Sequence, residues 1–448
     1  MTAHAHRPDG PAGSADAAGA APGTARSGLA ETAGAELDAL LAAADRDLAA
    51  GYPGERPGRQ PVHTVYVPAD RFGPGLPAQW GSQALDALAR WAPEPADFAA
   101  AMGLSPGLAA DVLPRVRAKL AAEPVEDLRL DFEDGYGDRG DQAEDADAAS
   151  AGAALAAAVA AGFAPPFTGL RCKSLERGTR RRAIRTLDIF LAGLLRGGPL
   201  PPGFTITLPK VTSAAQAEAM ASLCRWLEEE HHLARRRLTF EIQVETPQVI
   251  LGADGTAVIA RCVHAADGRL TGLHYGTYDY TAALGIAAAC QSMAHPAADY
   301  ARAVMQVAAA GTGIRLSDGS SNVLPEGTGA EVAAAWRLHA RLVRRSLERG
   351  FYQGWDLHPA QLASRYAATY AFFRDGLPAA CARLRGIAGA ARAGLLEEPA
   401  TARALAGYLA RGQDCGAISA AEIATLSGPG RPAWSGEGPS SSDPEQPP

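Results

Sequence analysis

The sequence predicts an α/β protein whose eight parallel strands close into a (β/α)8 barrel, the TIM barrel, followed by a helical C-terminal extension. Short segments rich in β-branched and aromatic residues alternate with helix-compatible segments rich in Ala, Leu and Arg, and eight such strand candidates occur. Charged residues also gather directly after the strand candidates and not before them. Strict alternation of strands and helices implies a parallel sheet, and eight repeats favour closure into a barrel.

The strand candidates follow one another along most of the chain. They are His63–Val67, Asp127–Phe132, Thr168–Cys172, Phe204–Leu208, Leu238–Val244, Leu270–Tyr275, Gly313–Leu316 and Tyr352–Leu357. A long helical stretch broken by Gly/Pro turns separates the first two, and helix-compatible segments separate the others. An open, doubly wound sheet is the competing fold. No GxGxxG motif follows the first strand, which disfavours a dinucleotide-binding version of that alternative.

Four segments make up the predicted domain organisation. Residues 1–30 and 428–448 are rich in Ala, Gly, Pro and Ser without apolar periodicity, so we predict that both tails are disordered. The barrel is predicted over residues 31–365. Residues 366–427 are predicted to form a helical extension, because the helical sequence after the eighth strand exceeds what one barrel helix needs.

Composition narrows the classes of function. The net charge of −7 disfavours a general nucleic-acid binder or a membrane-surface binder. The N-terminus lacks the pattern of a signal peptide, and no segment is apolar enough to span a bilayer. The 6 cysteines are scattered without CxxC spacing, which is typical of reduced core thiols. We therefore expect a soluble cytoplasmic protein.

Functional side chains of a (β/α)8 barrel lie at the carboxyl ends of the strands and in the loops that follow. In strand order, the polar residues at these positions are Asp70 and Arg71, then Asp131, Glu133 and Asp134, then Arg171 and Lys173, then Lys210, Glu245, Asp279, Asp318 and His358. The strand beginnings carry no comparable cluster. A merely solvated surface would not sort charge by strand end, so this asymmetry predicts an active site there.

The residue types suggest metal chemistry on a small acid. Glu245 and Asp279 follow two adjacent strands and are hard oxygen donors, which suit Mg²⁺ or Mn²⁺. A 2-oxo acid such as pyruvate or oxaloacetate can chelate such a metal, which would stabilise the enolate formed on carbon–carbon cleavage. Arg171 is a candidate for binding the substrate carboxylate by paired hydrogen bonds. Glu133 and Asp134 are candidates for proton transfer.

Each residue also has a purely structural explanation. A carboxylate after a strand often caps the next helix, and this fits Glu245 or Asp279 taken alone at least as well. Arg171 and Lys210 could form ordinary ion pairs, and His358 could be a turn residue before a proline. Placement at eight strand ends favours a shared site, because eight independent structural explanations would otherwise be required.

The ordered motifs VPADR, LDFED, LRCK, LPKV, VETP, GTYDYTAALG, SDG and LHPAQL, within residues 62–365, resemble a known family. The chain looks like a divergent member of the citrate lyase β-subunit-like, or HpcH/HpaI aldolase, family of phosphoenolpyruvate/pyruvate-binding barrels. This resemblance implies Mg²⁺-dependent cleavage or formation of carbon–carbon bonds in 2-oxo or 3-hydroxy acids, often as CoA thioesters. It implies metal ligands at Glu245 and Asp279, and a substrate-binding, enolate-stabilising arginine at Arg171.

Other positions match the family motifs less completely. Arg71 falls on the arginine of the first-strand motif, and Glu133 and Asp134 fall on the acidic pair near the metal and its waters. Lys173 stands where the family has an asparagine, and Tyr278 stands where it has a glutamate. Asp134 occupies the position at which pyruvate-class aldolases carry a histidine base. The resemblance therefore does not identify the general base of this chain.

The predicted function is a Mg²⁺-dependent carbon–carbon lyase or aldolase, with Mn²⁺ as a possible substitute metal. Its substrate is predicted to be a small oxo acid or an acyl-CoA, with Arg71, Arg171 and Lys210 as binding residues. One alternative is a non-catalytic or regulatory metal- or ligand-binding subunit of a larger complex. Another is phosphoryl transfer or C–P chemistry, for which the GTG triplets at 311–313 and 327–329 are too weak a signal. A homo-oligomer is expected from the family, with the helices after residue 360 as its interface.

Overall fold

The computed structural model describes residues 28–392 and 399–427. Most of the predicted disordered tails, residues 1–27 and 428–448, therefore lies outside the described part of the chain. Helix α1, Gly28–Gly51, includes the last three residues of the predicted N-terminal tail. This helix belongs to a compact unit that ends at Gly51, and the barrel belongs to a second unit that begins at Tyr52.

The second unit contains the predicted eight-stranded parallel barrel. Its strands are β1 His63–Pro68, β2 Asp127–Asp131, β3 Phe167–Arg171, β4 Phe204–Leu208, β5 Phe240–Val244, β6 Leu270–Tyr275, β7 Arg315–Ser317 and β8 Gly354–Asp356. Each strand from β1 to β6 pairs in parallel with the next in sequence, and β8 pairs in parallel with β1. Strands β7 and β8 meet at a parallel bridge between Ser317 and Gln353, so the barrel is nearly closed. The predicted fold class is confirmed.

Three strands, β5, β7 and β8, begin two residues later than predicted, and the structure gives different reasons for the first two. In β5, the backbone N–H of Leu238 donates to the Glu228 carboxylate at 2.7 Å and not to a neighbouring strand. Before β7, Gly313 has φ of 74°, a left-handed conformation that does not occur in a regular strand. Both features depend on neighbouring residues, so residue type alone does not reveal them.

Helices fill the connections between strands. They are α2 Leu76–Trp91, α3 Pro95–Met102, α4 Pro106–Ala122, α5 Asp141–Ala160, α6 Arg180–Gly197, α7 Ala214–Glu230, α8 Pro247–Ile250, α9 Val258–Ala265, α10 Thr277–Ala283, α11 Pro296–Ala309, α12 Gly329–Glu348, α13 Gln361–Arg392, α14 Pro399–Asp414 and α15 Ala420–Ser427. Capping residues mark several starts. Ser213 with Gln216, and Thr328 with Glu331, form capping boxes at α7 and α12. Each helix in the described part of the chain is too short or too polar to cross a membrane.

The C-terminal helices continue the packing of the barrel. Helix α13 runs through residue 366, the predicted start of the extension, and its buried Phe373 lies in one apolar cluster with Leu409 of α14 and Ile423 of α15. The same cluster includes Val65 of β1. The helical C-terminus is thus confirmed, while the division of the chain at residue 366 stays a prediction.

Helices α5 and α6 pack so closely that two glycines are required. A Cβ atom on Gly152 would lie 2.3 Å from the carbonyl oxygen of Phe190, and one on Gly193 would lie 2.7 Å from that of Ala149. These distances are shorter than any real carbon–oxygen contact, so the glycines allow the two helix backbones to touch. The contact holds the second and third βα units side by side.

The barrel interior contains a buried network of charges between β2, β5 and β6. Arg129 donates to Glu241 through Nε at 3.0 Å and also pairs with Asp127, while His274 Nε2 lies 2.8 Å from the Glu241 carboxylate. All four side chains are buried. Because the charges are paired and hydrogen-bonded, the network avoids the cost of an isolated buried ion.

Candidate metal centre

Three carboxylates meet at the carboxyl end of the barrel. Asp134 follows β2, Glu245 follows β5 and Asp279 lies in the first turn of α10 after β6. One oxygen from each of the three lies within 4.8 Å of the others. Glu245 is 1% exposed, whereas Asp134 and Asp279 are open to solvent. The structure thus brings together the two carboxylates that the sequence predicted as metal ligands and adds a third.

Hydrogen bonds hold Glu245 in place. Its Oε1 accepts the backbone N–H of Lys210 at 2.8 Å, and its Oε2 accepts the side-chain amide of Gln243 at 2.5 Å. Gln243 and Glu245 are two residues apart, as expected for side chains on one face of an extended segment. Burial, reinforced by the neighbouring Asp279 carboxyl, raises the pKa of Glu245 to about 8. The side chain is therefore an acid that titrates close to neutral pH.

The ammonium group of Lys210 lies among these carboxylates. Its Nζ is 2.8 Å from Asp279 Oδ2, 3.0 Å from Asp134 Oδ2, 3.2 Å from Glu245 Oε2 and 3.5 Å from Glu133 Oε1. Burial alone would lower the pKa of Lys210, but the surrounding negative charges outweigh it and raise the pKa above its usual value. The lysine therefore remains a cation at the centre of the cluster.

Arg171 ends β3 beside the cluster and is buried. Its Nε and Nη2 donate to the two oxygens of Asp131 at 2.7 and 2.6 Å. Its Nη1 donates to the side-chain amide oxygen Oε1 of Gln243 at 3.1 Å and lies 3.3 Å from the Glu133 carboxylate. One edge of the guanidinium is therefore fully used by Asp131, and the Nη1 end faces the carboxylates.

Two aromatic rings form the walls around Arg171. The centre of the guanidinium lies 4.9 Å from the ring of Tyr66 and 5.5 Å from the ring of Trp355. These distances are those of cation–π contacts. The rings also limit the access of water to the guanidinium, which strengthens its interaction with any anion placed against it.

Glu133 lies between Arg171 and Lys210 in the loop after β2. Burial raises the pKa of Glu133 to about 7, with the Arg171 and Lys210 charges opposing the rise and Asp134 adding to it. Its Oε2 also accepts the backbone N–H of Asp134 at 2.9 Å. A carboxyl group with this pKa can both donate and accept a proton near neutral pH.

The other residues singled out at the strand ends have different surroundings. Arg71 is exposed in the 3-10 turn after β1, and among the described contacts its side chain takes part in no hydrogen bond or ion pair. Lys173 donates hydrogen bonds to the backbone carbonyls of Phe132 and Gly137 and so holds the loop after β2 in place.

The remaining strand-end residues have structural contacts. Asp318 is buried, accepts a hydrogen bond from Ser346 and forms an ion pair with Arg302. His358 lies 3.2 Å from Glu326, and Cys172 is in the apolar core.

Sequence reasoning did not single out several residues that shape the centre. The sequence pattern locates Asp131 in the acidic loop without indicating its pairing with Arg171, and it does not mark Gln243 as a residue of the site. The spacing of Gln243 from Glu245 is a signal that was available, because alternate strand residues share a face. Tyr66 and Trp355 come from β1 and β8, which only barrel closure makes neighbours.

The donor set fits a divalent cation. Carboxylate oxygens are the hard donors that Mg²⁺ and Mn²⁺ prefer, and three of them converge here from three loops. The Lys210 ammonium bonded to all three shows that their arrangement already accommodates a positive charge.

The fold and the centre define a (β/α)8-barrel protein with a carboxylate cluster at the carboxyl ends of its strands. The chain belongs to a family described as a domain of unknown function, DUF6986, whose profile matches residues 41–435. No curated protein shows significant similarity to it in sequence.

Several solved structures are similar to this chain. A citrate lyase from Burkholderia xenovorans LB400 is 19% identical, with a TM-score of 0.53, over 84% of this chain and 98% of that one. A citrate lyase β subunit from M. tuberculosis, complexed with oxaloacetate and magnesium, is 18% identical, with a TM-score of 0.39, over 69% of this chain and 96% of that one. A malate synthase from Haloferax volcanii is 15% identical, with a TM-score of 0.46, over 70% of this chain and 76% of that one. The citrate lyase from Burkholderia xenovorans LB400, with its TM-score of 0.53, confirms the resemblance to the citrate lyase-like family at the level of the fold.

Proposed function

We propose that this protein is a divalent-metal-dependent lyase that cleaves or forms a carbon–carbon bond in a small 2-oxo or 3-hydroxy acid, free or as a CoA thioester. The observation that carries the proposal is the convergence of Asp134, Glu245 and Asp279 within 4.8 Å, beside the buried Arg171. The fold shared with a citrate lyase supports the same class of reaction.

Glu245 and Asp279 are the proposed metal ligands, with Asp134 as a third carboxylate. When bound, Mg²⁺ or Mn²⁺ supplies Lewis-acid polarisation of a substrate carbonyl and stabilises the negative charge that develops on its oxygen. Gln243 and the Lys210 backbone orient Glu245 through two hydrogen bonds, so this ligand is held in place by the fold.

Arg171 is the proposed substrate-binding residue. Asp131 occupies the Nε/Nη2 edge of its guanidinium, so the Nη1 end is the part that can reach a substrate carboxylate or a developing oxyanion. The flanking rings of Tyr66 and Trp355 keep the guanidinium away from bulk water, which strengthens that contact. Arg71 and Lys210 remain proposed binding residues for a second anionic group of the substrate.

Glu133 and Asp134 are the proposed groups for proton transfer. Glu133 is the better placed of the two because its pKa of about 7 allows either protonation state at neutral pH. Its side chain is 10% exposed, whereas that of Asp134 is 54% exposed. Glu133 can therefore hold a proton beside the substrate-binding arginine in a largely dry environment.

A calorimetric titration tests this proposal. Chelator-stripped protein is titrated with Mg²⁺ and with Mn²⁺, each with and without pyruvate, oxaloacetate or acetyl-CoA, beside Glu245→Gln and the exposed control Glu229→Gln. We expect metal binding that tightens with an oxo acid, is lost in Glu245→Gln and is unchanged in Glu229→Gln. No metal binding under any condition would contradict the proposal. Binding of metal and oxo acid without turnover of any substrate would favour the non-catalytic alternative.

A further inference from the structure

We infer that Lys210 is a tethered cation that competes with the divalent metal for the carboxylate cluster, so that metal binding requires its side chain to swing out. The inference rests on the proposed metal site and concerns how that site is loaded. It adds to the proposed substrate-binding role of Lys210 a second role, in setting the affinity for the metal.

The geometry places the ammonium where a metal would be held. The carboxylates within 3.2 Å of Lys210 Nζ are those of Asp134, Glu245 and Asp279, the same three that converge within 4.8 Å of one another. Mg²⁺ binds its oxygens at about 2.1 Å and needs the space between them. An ammonium group and a divalent ion cannot both lie there, because they would overlap and repel each other. Occupancy by the two cations is therefore mutually exclusive.

The lysine can leave without moving the backbone. The backbone N–H of Lys210 donates to Glu245 Oε1 at 2.8 Å, and this hydrogen bond does not involve the lysine side chain. The side chain is 23% exposed, and the neighbouring Asp134 and Asp279 are 54% and 49% exposed, so one side of the cluster opens to solvent. Rotation about the side-chain bonds of Lys210 is then enough to clear the space between the carboxylates.

The Lys210 ammonium also stabilises the carboxylate cluster before the metal binds. With Glu133, the cluster holds four carboxylates within 3.5 Å of a single point, and without a cation they would repel one another. Lys210 keeps them assembled before the metal binds. The free energy of its ion pairs must be given up when the metal enters, and metal affinity is weakened by that amount.

Substitution of the lysine therefore has a diagnostic direction. In Lys210→Met, we expect the Mn²⁺ dissociation constant to fall about tenfold, because the partly exposed ion pairs of Lys210 with Asp134, Glu245 and Asp279 no longer compete with the metal. Methionine retains a long unbranched side chain and, like lysine, must adopt the left-handed backbone at φ 54°, so the backbone cost is unchanged. If Lys210 positioned the metal or its ligands, the same substitution would weaken binding.

The experiment is a Mn²⁺ titration of chelator-stripped protein at a pH of about 8.5, above the Glu245 pKa of about 8. Wild type, Lys210→Met, Glu245→Gln and Arg177→Met are compared. Arg177→Met removes an exposed charge in the loop after β3, at the same end of the barrel, and should change affinity less than about twofold. Tighter binding in Lys210→Met alone supports the inference, and unchanged or weaker binding overturns it. If the wild type does not bind metal at all, the proposed function itself fails.

A second measurement uses the unaltered protein and does not depend on how the variant folds. Lysines are pulse-acetylated with and without saturating Mn²⁺, and the labelling of Lys210 is followed by mass spectrometry, with Lys119 and Lys173 as internal references. Displacement by the metal should increase the acetylation rate of Lys210 severalfold and leave the references unchanged. Equal labelling of Lys210 in both states would overturn the inference.

Discussion

Asp131 and Arg171 end two neighbouring strands in register, and their side chains form a paired hydrogen bond of 2.7 and 2.6 Å. The same carboxylate accepts the backbone N–H groups of Glu133 at 3.0 Å and Gly135 at 2.8 Å. One buried aspartate therefore fixes both the guanidinium and the loop that carries Glu133 and Asp134. It links the proposed substrate-binding residue to the proposed proton-transfer groups.

Replacing Asp131 by asparagine should destabilise the fold, because Arg171 would lose its closest counter-charge while staying buried. We expect the free energy of unfolding to fall by about 3 kcal/mol in a urea titration. The control Asp70→Asn removes a partly exposed partner of Arg139 and should cost less than about 1 kcal/mol. An equal decrease in the free energy of unfolding in the two variants would show that the Asp131–Arg171 pair stabilises the fold no more than a surface ion pair does.

The Asp131 pair also predicts a dependence of stability on pH. Burial opposes ionisation of Asp131, but the Arg171 charge and the hydrogen bonds outweigh it and hold the pKa of this carboxyl below its usual value. The pair therefore contributes fully above the unfolded pKa of about 4 and is lost as the pH falls through the lower folded pKa. In urea titrations from about pH 7 to pH 3, wild type should lose its advantage over Asp131→Asn on acidification. A constant difference would contradict this assignment.

Arg171→Lys should separate substrate binding from metal binding. A lysine cannot present the planar fork that bonds Asp131 along one edge and a substrate along the other, so binding of an oxo acid should weaken. We expect a loss of about tenfold to a hundredfold in oxaloacetate affinity at saturating Mn²⁺, with Mn²⁺ affinity itself nearly unchanged. Calorimetry measures both, and Arg225→Lys on the exposed face of α7 is the control. A parallel loss of metal affinity would argue that Arg171 supports the cluster instead.

Metal affinity should rise with pH. Burial, with the neighbouring Asp279, raises the pKa of Glu245 to about 8, and a metal ligand must bind in its deprotonated form. Metal binding therefore releases a proton below that pH, and the Mn²⁺ association constant should increase by up to about tenfold per pH unit until it levels off near pH 8. Titrations from about pH 6 to about pH 9 check this. An affinity independent of pH would mean that Glu245 is ionised throughout or is not a ligand.

The contact between α5 and α6 predicts a large effect of a single methyl group. In Gly152→Ala, the new Cβ would meet the Phe190 carbonyl oxygen at 2.3 Å, so the helices must separate. We expect the free energy of unfolding to fall by about 1–3 kcal/mol. Gly107→Ala in α4 has open space around its Cβ and should be neutral or stabilising by up to about 1 kcal/mol. Thermal unfolding of the two variants gives the comparison.

Strand–helix alternation and the polar residues at strand ends were sufficient to predict the barrel and the neighbourhood of the centre. Both signals are local: strand propensity and helix compatibility can be read from short windows, and the barrel topology then requires that strand ends meet. For this reason Glu245 and Asp279, which are 34 residues apart in the printed numbering, could be expected to approach each other. Arg71 met the same positional criterion, yet its side chain is exposed, because strand-end position does not specify side-chain direction.

Sequence by itself determined the fold class, the end of the barrel that carries the charge and the order of the motifs, because these follow from residue type and spacing. Only the tertiary structure decided which charges touch. The left-handed backbone at Lys210 and its bond to Glu245 direct the ammonium into the cluster, and the register of β2 and β3 sets Asp131 against Arg171. Such pairings depend on loop dihedral angles and on packing across the barrel. Both are set by residues distant in the chain, so no local pattern encodes them.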